Sequence, residues 1–510
     1  MKNIKSYILS IGVLCLASCS KSYLNTNPTS SAGVNTVFQT TDNAAMAVNG
    51  LAKMMTMQYL GSQGFNGEGT IKMYNGNYPG NNFTVNLSGW APIINSTYNE
   101  NTTTIYDYYP WYYYYKIIIN ANAIILKVDA ANGADIDKQF IKAQALTYRA
   151  YAYMMLLQLY AYRWQDSNNG SSPGVVLRLD ESSGDIPLST QTDVYKQIYA
   201  DLNQAIQLYT SSGKKRASGD NYSPDINVAY AVYARAALNK QDYPNAEAYS
   251  IKAIANYPLM GATDYKAGFV NPTSEWIWSS YGSSDETLYF YSYFSYIAYN
   301  STASAVRTSP KLITKTLYNK IPSTDIRKGL FLDPTGYTYT IATGVAGSAL
   351  TTRARTLFPD LQSNSTIYAY MQFKIKNNTQ PGDGFLNNFR SSEMYLIQAE
   401  AKYFQNKPAS DIQNLLVALT KTAGRDPNYT CTKTGTDLLN EIKLYRGIEL
   451  WGEGFDWFDM KRWGDPIVRT STTDGGNVIT PLALTIAPGD NNKWTWKIPN
   501  REFDYNSAIK

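Results

Sequence analysis

The sequence predicts a mainly α-helical protein, in which paired helices form a scaffold that carries a loop-rich, partly β variable lobe. Three observations lead to this fold class. Apolar residues recur at steps of three and four over several long segments, two segments of about 34 residues have the pattern of helix pairs, and two long stretches are irregular. With 510 residues, of which 44% are hydrophobic and 17% charged, the chain can bury a core.

Helical periodicity is the most extensive pattern in the chain. Phe140, Leu146 and Tyr153, for example, fall on one face of a predicted helix. Because several such segments follow one another, we expect helices to pack mainly against helices. The helical scaffold is assigned to residues about 41–60, 110–163, 190–259 and 388–464.

The run YDYYPWYYYYK, residues 106–116, lies where the second helical part begins. Pro110 suits a first helical position, because proline lacks an amide hydrogen that the first turn would leave unused. The helix that follows is predicted to bury the face Trp111, Tyr112, Tyr115, Ile118, Ile119 and Asn122. The other tyrosines are expected outside that face, Tyr113 and Tyr114 toward solvent, and Tyr106, Tyr108 and Tyr109 at the edge of the preceding loop.

Two segments have the length and the alanine pattern of tetratricopeptide units. Residues 226–259 and 388–422 each predict two antiparallel helices with small residues where they cross. Such units cannot bury their apolar faces singly, so several should stack, and the earlier helices are expected to supply the others. The prediction is therefore a tetratricopeptide-like helix-pair scaffold.

The variable lobe is assigned to residues about 61–105 and 260–386. The first stretch is rich in Gly and Asn and is predicted to be a long loop, a kind of segment that is often functional. The second contains aromatic groups at 276–281 and 289–294, and alternation in the latter predicts a short strand.

The N-terminal residues have the pattern of a processing segment. Two lysines precede a short apolar run, which is typical of a signal peptide, and Leu16-Ala17-Ser18-Cys19 matches a bacterial lipobox. We expect residues 1–18 to be removed, Cys19 to carry acyl chains such as palmitate, and residues 19–40 to contain a tether. Residues 41–510 then form a single composite domain.

Composition and charge exclude several classes of protein. The formal charge of +5 is slight and evenly spread, so a nucleic-acid partner is not expected. The chain has no histidine, which excludes Ser-His-Asp and His-metal chemistry within it. Carboxylate pairs of the kind that glycosidases use remain open, although neither Asp180-Glu181 nor Asp285-Glu286 is distinguished by its setting.

The C-terminal stretch EIKLYRGIELWGEGFDWFDMKRWG, residues 441–464, predicts two helices separated by glycines. Asp456 is expected to cap the second helix in a capping-box-like arrangement with Asp459. Asp459 is also spaced to form an ion pair with Arg462. The aromatic residues of this stretch are expected to form a packed corner of the core.

Together with the lipobox, these motifs resemble the SusD/RagB family, the outer-membrane nutrient-binding lipoproteins of Bacteroidetes. The resemblance covers nearly the whole chain after residue 18 and follows the family's order. One departure is Asp456, where the family motif has a basic or polar residue such as Arg. The supporting stretches are YYKIIINANAIIL (114–126), AQALTYRAYAYMMLLQLYA (143–161), RSSEMYLIQAEA (390–401), RGIELWGEGFDWFDMKRWG (446–464) and KIPNREF (497–503).

The resemblance implies a SusD-like fold whose variable lobe carries the ligand site. It implies a binding protein and not an enzyme, with no cofactor other than the lipid on Cys19. The expected ligand is an oligosaccharide, and the expected partner is a SusC-like TonB-dependent outer-membrane porin that receives it. The expected location is the outer membrane, lipid-anchored and facing the cell exterior.

Candidate ligand-binding residues come from the two irregular stretches. Aromatic rings can stack on the flat C–H faces of sugars, and amide side chains can bond the hydroxyl groups around them. Trp90 has the most suitable setting, because asparagines surround it in the sequence. The candidates are Tyr74, Tyr78, Asn81, Phe83, Trp90, Asn95, Trp276, Trp278 and Tyr281.

Three other functions are left open by the sequence. The same architecture could bind peptides, which would need a longer site with more backbone-pairing groups. An α-helical glycosidase would show turnover of a polysaccharide. A pure scaffold would hold a protein partner in its tetratricopeptide-like grooves and bind no small ligand.

Overall fold

The computed structural model describes residues 37–58, 64–282 and 291–509, and helices dominate it. The mainly α-helical fold class is confirmed. The longer helices are α1 (Thr41–Met54), α2 (Ile105–Lys127), α3 (Asp135–Tyr160), α4 (Gln191–Ser212), α5 (Ile226–Asn239), α6 (Tyr243–Ala253), α7 (Ser348–Leu357), α8 (Ser391–Phe404), α9 (Ala409–Val417), α10 (Gly435–Glu449) and α11 (Asp456–Trp463).

Short helices and strands fill the space between the longer helices. The short helices are Gly67–Thr70, Ala91–Ile94, Ala262–Tyr265, Tyr293–Ile297, Ser304–Arg307, Lys315–Tyr318, Asn491–Trp494 and Asn500–Tyr505, and Ile71–Asn77 and Ala418–Thr422 are π-helical. The strands are β1 (Phe83–Thr84), β2 (Pro173–Val176), β3 (Leu188–Thr190), β4 (Trp276–Ser280), β5 (Leu312–Ile313), β6 (Leu386–Arg390), β7 (Ile467–Val468) and β8 (Thr485–Ile486). They pair antiparallel in two-stranded sheets, β1 with β5, β2 with β3, β4 with β6 and β7 with β8.

The scaffold is a stack of helices in which sequence neighbours pack together. Helix α2 packs on α3, α3 on α4, and α5 on α6, while α1 contacts both α2 and α3. Helix α8 packs on α6 and on α9, so the two predicted helix pairs, α5–α6 and α8–α9, are adjacent. Ala229, Ala236 and Ala246 are fully buried in the first pair, because small side chains let the helices approach closely. The prediction of two stacked helix pairs is confirmed.

Pro110 lies inside α2 and not at its first position, which corrects the prediction. The helix begins at Ile105, after Thr104, whose side-chain oxygen accepts a hydrogen bond from the Asp107 amide. The hydroxyl of Tyr160 is inserted at the proline: it accepts from the Trp111 amide at 3.0 Å and donates to the Asp107 carbonyl at 2.6 Å. An interior proline breaks the helical ladder, and this hydroxyl satisfies the backbone groups that the break leaves open.

The two tyrosines expected to point outward from α2 are buried. Tyr113 and Tyr114 are 0% exposed, and their hydroxyl groups donate to the two carboxylate oxygens of Glu68. The face that was predicted to be buried is partly open instead, because Tyr112, Tyr115 and Ile119 retain exposure. Trp111, Ile118 and Asn122 of that face are buried as predicted. The error concerns the tyrosines, because tyrosine can serve either environment; Tyr109, expected at the edge of the loop, is also buried.

Two predictions for the variable lobe are also wrong. The first irregular stretch contains a buried helical segment, Gly67–Thr70 followed by Ile71–Asn77, where a loop was expected. In the second aromatic group, residues 283–290 lie outside the described residues, and the part that follows is the helix Tyr293–Ile297 and not a strand. Glycine and asparagine are poor helix formers in isolation, but burial against the scaffold outweighs their low propensity here.

A buried network of ion pairs joins the lobe to the scaffold. Arg390, at the end of β6, donates to the carboxylates of Glu449 and Glu453, with distances of 2.7 and 2.8 Å. Four cations and four carboxylates take part, and their charges balance. The members are Arg327, Lys374, Arg390, Arg425, Glu275, Asp325, Glu449 and Glu453.

Asp456 does not cap α11, which corrects another prediction. The N-cap residue is Phe455, and it makes no side-chain cap bond. The Asp456 carboxylate instead accepts from the backbone amide and the side-chain amide of Asn82, at 2.6 and 2.8 Å. It therefore holds the chain that leads to Trp90. The predicted ion pair of Asp459 with Arg462 is present at 3.1 Å.

The buried position of Asp456 predicts a pH-dependent stability. Burial raises its pKa from 3.8 to about 7. The folded state thus keeps a proton that the unfolded chain releases above pH 3.8, so the free energy of unfolding should fall as the pH rises toward 7 and then level off. The residue as a whole is half-buried, so solvent screens part of the effect, and we expect a loss on the order of 1–3 kcal/mol.

Urea unfolding between pH 4 and 8 tests this prediction when the native chain is compared with Asp456→Asn, which cannot titrate. The difference in unfolding free energy between the two should change over that window. Asp129→Asn is the matched control, because the Asp129 side chain is 64% exposed. A constant difference between native protein and Asp456→Asn across the window would contradict the prediction.

Candidate functional site

Aromatic rings from the lobe and from α2 meet around Trp90. The centroid of Trp90 lies 5.4 Å from those of Tyr74 and Tyr78, and 6.0 Å from that of Tyr296, whose ring stands edge-on to it. Tyr106 joins the group through Tyr74, at 5.6 Å, and stacks on Tyr98 at 4.5 Å. We call these residues the Trp90 cluster: Tyr74, Tyr78, Trp90, Tyr98, Tyr106 and Tyr296.

The cluster has a buried base and an accessible rim. Tyr74, Tyr78 and Tyr296 are 5%, 1% and 8% exposed and form the base. Trp90, Tyr98 and Tyr106 are partly exposed and form the rim. A ring whose lower face is fixed by other rings while its upper face is accessible can stack on a ligand without first losing conformational freedom.

Local structure holds Trp90 at the rim. It ends the 3₁₀ turn Ser88–Trp90, in which its amide donates to the Leu87 carbonyl at 3.1 Å, and the helix Ala91–Ile94 follows directly. Pro92 suits the first turn of that helix. Leu87, Ser88 and Gly89 are exposed beside the indole. The turn therefore presents the tryptophan at the surface, next to an exposed apolar side chain.

The phenol groups of Tyr74, Tyr78, Tyr106 and Tyr296 stay protonated over the physiological pH range. Burial raises the pKa of Tyr74 well above 10, with Tyr296 adding to the effect, and burial also raises the pKa of Tyr106. The Tyr74 and Tyr296 hydroxyls hydrogen-bond to each other. These groups can donate to and accept from the hydroxyl groups of a neutral ligand.

The asparagines near Trp90 in sequence are mainly engaged with backbone. Asn81 accepts from the Val468 amide at 2.9 Å, and Asn95 donates to the Pro481 carbonyl at 3.2 Å. Asn86 donates to the Thr343 carbonyl at 3.0 Å. In this structure Asn81 and Asn95 tie the aromatic loop to the C-terminal part of the chain.

The structure places three other aromatic candidates in the core. Trp276 and Trp278 are 1% and 0% exposed, because β4 lies between β6 and the scaffold, and Trp278 packs edge-on to Tyr151 of α3 at 5.2 Å. Phe83 is 1% exposed and stacks on Trp451 at 5.2 Å. Rings covered on both faces offer no surface to a sugar, so this structure does not support ligand contact by these three residues.

Tyr281 is exposed but does not belong to the Trp90 cluster. It is 37% exposed, and its ring neighbours are Tyr222 and Phe385. Of the nine candidates, the structure therefore brings together Tyr74, Tyr78 and Trp90 in one accessible site. Tyr98, Tyr106 and Tyr296 complete it without having been candidates. Tyr296 comes from a segment far from Trp90 in the chain, and only the aromatic density of the sequence pointed to these three residues.

Several sequence predictions concern residues beyond this site. Cys19 and the lipobox lie outside the described residues, as do Asp285 and Glu286. Glu181 of the other acidic pair binds Lys127 at 2.6 Å, and Asp180 accepts from Ser182. In the part of the chain that the structure describes, no cluster of metal-ligating side chains occurs. Over the same residues, every helix is too short or too polar to cross a membrane.

A mainly α-helical, tetratricopeptide-like scaffold with an inserted lobe is the fold that this chain shares with SusD-like proteins. The chain belongs to the SusD/RagB family. The SusD family profile matches residues 264–507. A second profile, described as starch-binding and associating with the outer membrane, matches residues 23–238. Comparison with curated proteins found no match.

Solved structures from Bacteroides share this fold. A SusD-like carbohydrate binding protein from Bacteroides vulgatus is 22% identical, with a TM-score of 0.75 over 92% of this chain and 98% of that one. A SusD superfamily protein from Bacteroides thetaiotaomicron is 20% identical, with a TM-score of 0.70 over 92% and 99% of the two chains. A SusD-like carbohydrate binding protein from Bacteroides fragilis is 14% identical, with a TM-score of 0.70 over 93% and 100%.

Proposed function

We propose that the protein captures oligosaccharides at the Trp90 cluster and does not turn them over. The observation that carries the proposal is the accessible rim of Trp90, Tyr98 and Tyr106 on a base of buried tyrosines. The matching family profile is described as starch-binding, and two structural relatives are named as carbohydrate binding proteins; both facts support the proposal.

The chemistry of the cluster suits a neutral sugar chain. Pyranose rings have C–H faces that stack on indole and phenol rings, and the neutral hydroxyls of the tyrosines can bond sugar hydroxyls at the edges of the stack. Tyr98 and Tyr106 are parallel within 6°. They are stacked with their centroids 4.5 Å apart, so each ring covers one face of the other. This pair and the partly exposed Trp90 indole give the site more than one aromatic contact surface, which suits an oligosaccharide better than a single sugar.

The proposed biological role extends the binding function to the cell surface. We propose that Cys19 is acylated, that the protein is anchored at the outer membrane and faces the cell exterior, and that it delivers its glycan to a SusC-like TonB-dependent porin. The lipobox and the family profile described as associating with the outer membrane support these steps. Radiolabelled palmitate incorporation that is lost in Cys19→Ser, and co-purification with a porin, would test them.

Calorimetric titration of the full-length protein against panels of neutral glycans and of peptides tests the binding function. We expect saturable binding of a glycan without product formation. Trp90→Ala should weaken binding by roughly 1–3 kcal/mol, or about 5- to 150-fold, the range measured when an aromatic stacking partner is removed. Circular dichroism should show a retained fold, because the Trp90 side chain is partly exposed.

Tyr162→Ala is the matched control, because Tyr162 is 39% exposed and is not part of the cluster. Binding of peptides alone would favour peptide cargo and overturn the proposal. Release of shorter products from a polysaccharide would show a glycosidase, and failure to bind either panel would favour a pure scaffold. Equal glycan affinity in native protein and Trp90→Ala would place the site elsewhere.

A further inference from the structure

A second aromatic groove lies on the other side of the N-terminal part of α2. The groove runs along the face of α2 that the sequence predicted to be buried. The structure shows that this face is partly open. Tyr108, Tyr112 and Tyr115 succeed one another along this face at helical steps, and the groove has a volume of about 350 Å³. This volume is within the range of ligand sites in proteins, about 300–1,000 Å³.

Both walls of the groove are fixed by hydrogen bonds. On one side, the Arg178 guanidinium donates to the carbonyls of Ser182 and Gly184 and shapes the loop between them. On the other side, Glu502 of the C-terminal helix accepts from the Trp111 indole at 3.0 Å and from Asn506 at 3.2 Å. The shape of the groove is therefore fixed by the fold.

Ring surfaces are available along the groove. Tyr108 and Tyr112 are partly exposed and lie 5.6 Å apart, and Tyr505 on the opposite wall is 84% exposed. Such an exposed tyrosine beside further accessible rings is unusual for a surface without a ligand, because a large exposed apolar patch commonly marks a binding site. The spacing of the rings suits an extended ligand.

The charged groups that line the groove favour an anion. Arg501 lies over the Tyr108 ring at 4.6 Å, and among the described residues it has no carboxylate partner. Lys116 lines the same groove, and its ammonium group has no partner within the described part of the chain. The one carboxylate in the lining is Glu502, which already accepts hydrogen bonds from Trp111 and Asn506.

A neighbouring cavity extends the groove past Arg501. It has a volume of about 370 Å³ and shares Tyr108 and Arg501 with the first cavity, so the cation lies between the two spaces. Threonines 102–104 line its far side. A chain-like ligand could therefore run past the arginine from one cavity to the other, with hydroxyl groups along its path.

We propose that this groove is a second binding site, specific for an oligosaccharide that carries carboxylate or sulfate groups. The tyrosines stack on the sugar rings, and Lys116 and Arg501 bind the anionic substituents. The groove has no lining residue in common with the Trp90 cluster, so the two sites are separate. The protein would then hold acidic and neutral parts of a glycan on different faces of α2.

Titration of the full-length protein with a short oligogalacturonate, a sulfated heparin fragment and a neutral cello-oligosaccharide of the same length tests the proposal. We expect the groove to bind at least one of the two anionic probes. Arg501→Ala should weaken that binding roughly tenfold or more, because a charge-assisted hydrogen bond is lost. Ser183→Glu, which adds a negative charge at an exposed lining position, should weaken it comparably and leave the fold intact.

The controls separate this site from the proposed glycan site. Arg353 lies over the Tyr337 ring at 5.5 Å and is exposed elsewhere on the surface, so Arg353→Ala should have no effect on anionic binding. Trp90→Ala should also leave it unchanged. Absence of anionic binding, an affinity for the neutral probe that falls with Arg501→Ala as much as the anionic one does, or anionic binding that survives both Arg501→Ala and Ser183→Glu would each overturn the proposal. None of these results bears on neutral glycan binding at Trp90.

Discussion

Replacing Arg390 with alanine is expected to destabilise the protein by about 3–5 kcal/mol or to prevent folding, because it leaves buried carboxylates without their main cation. The Arg390 side chain is 1% exposed, and those of Glu275 and Glu449 are 0% exposed. A loss of that size is a large part of the total stability of a typical protein, about 5–15 kcal/mol.

The electrostatics of the network explain the size of this effect. Burial alone would raise the pKa of Glu449, but Arg425, Arg390 and Arg327 lower it well below its ordinary value, so the carboxylate is charged. Arg390 also binds Glu453 through two nitrogens and donates to the Glu449 carbonyl at 2.8 Å. Alanine would remove all of these bonds and leave the negative charges of Glu449 and Glu453 buried without this compensation.

Chemical denaturation of native protein and variant measures the loss, and the soluble yield reports a failure to fold. Lys142→Ala is the control, because Lys142 pairs with the exposed Asp129, and a surface ion pair contributes about 0–1 kcal/mol. A loss below about 1 kcal/mol for Arg390→Ala would contradict the prediction.

The helical scaffold could be predicted because its determinants are local. Helix α3 shows apolar residues at regular steps along its length, and the alanines of α5 mark a close helix crossing within one short segment. The ion network could not be predicted in this way. Arg390 meets Glu275 and Glu449, which are 115 and 59 residues away in the chain, and nothing near Arg390 indicates those partners.

The candidate site could be predicted only in part, because the placement of its residues also depends on partners that are distant in the chain. Trp90 was recognised from its setting in a polar loop, and the structure places it at an accessible rim. Trp276 and Trp278 were candidates from the second irregular stretch, but β4 pairs with β6 and both rings are buried. Whether an aromatic residue is core or surface depends on which segment covers it, and that is a property of tertiary contacts.

A tertiary contact also connects the aromatic site to the helical scaffold. Tyr74 and Tyr78, which support Trp90, belong to the segment Ile71–Asn77 or directly follow it. Asn77 holds this segment on the loop between α10 and α11: it donates to the Gly452 carbonyl at 2.8 Å and accepts from the Gly454 amide at 2.9 Å. The geometry of the aromatic rim therefore depends on a backbone contact far from it in sequence.

Gly76→Ala is expected to destabilise the protein by about 3 kcal/mol or more and to weaken glycan binding, because the contact leaves no room for a side chain. A Cβ atom at Gly76 would lie 2.6 Å from the carbonyl carbon of Gly454. That backbone cannot move away without loss, since the Gly454 amide donates to the Asn77 side chain at 2.9 Å. The segment that carries Tyr74 would have to shift instead.

Thermal unfolding and glycan titration of Gly76→Ala together check this prediction, and Gly50→Ala is the matched control. Gly50 lies inside α1, and a Cβ atom there would meet nothing within 4 Å. Alanine at that position should stabilise the helix by up to about 1 kcal/mol and leave binding unchanged. The two substitutions add the same methyl group, so opposite signs would show that the close contact at Gly76, and not the loss of a glycine, determines the outcome. Native stability and native affinity in Gly76→Ala would refute the proposed link between this contact and the aromatic site.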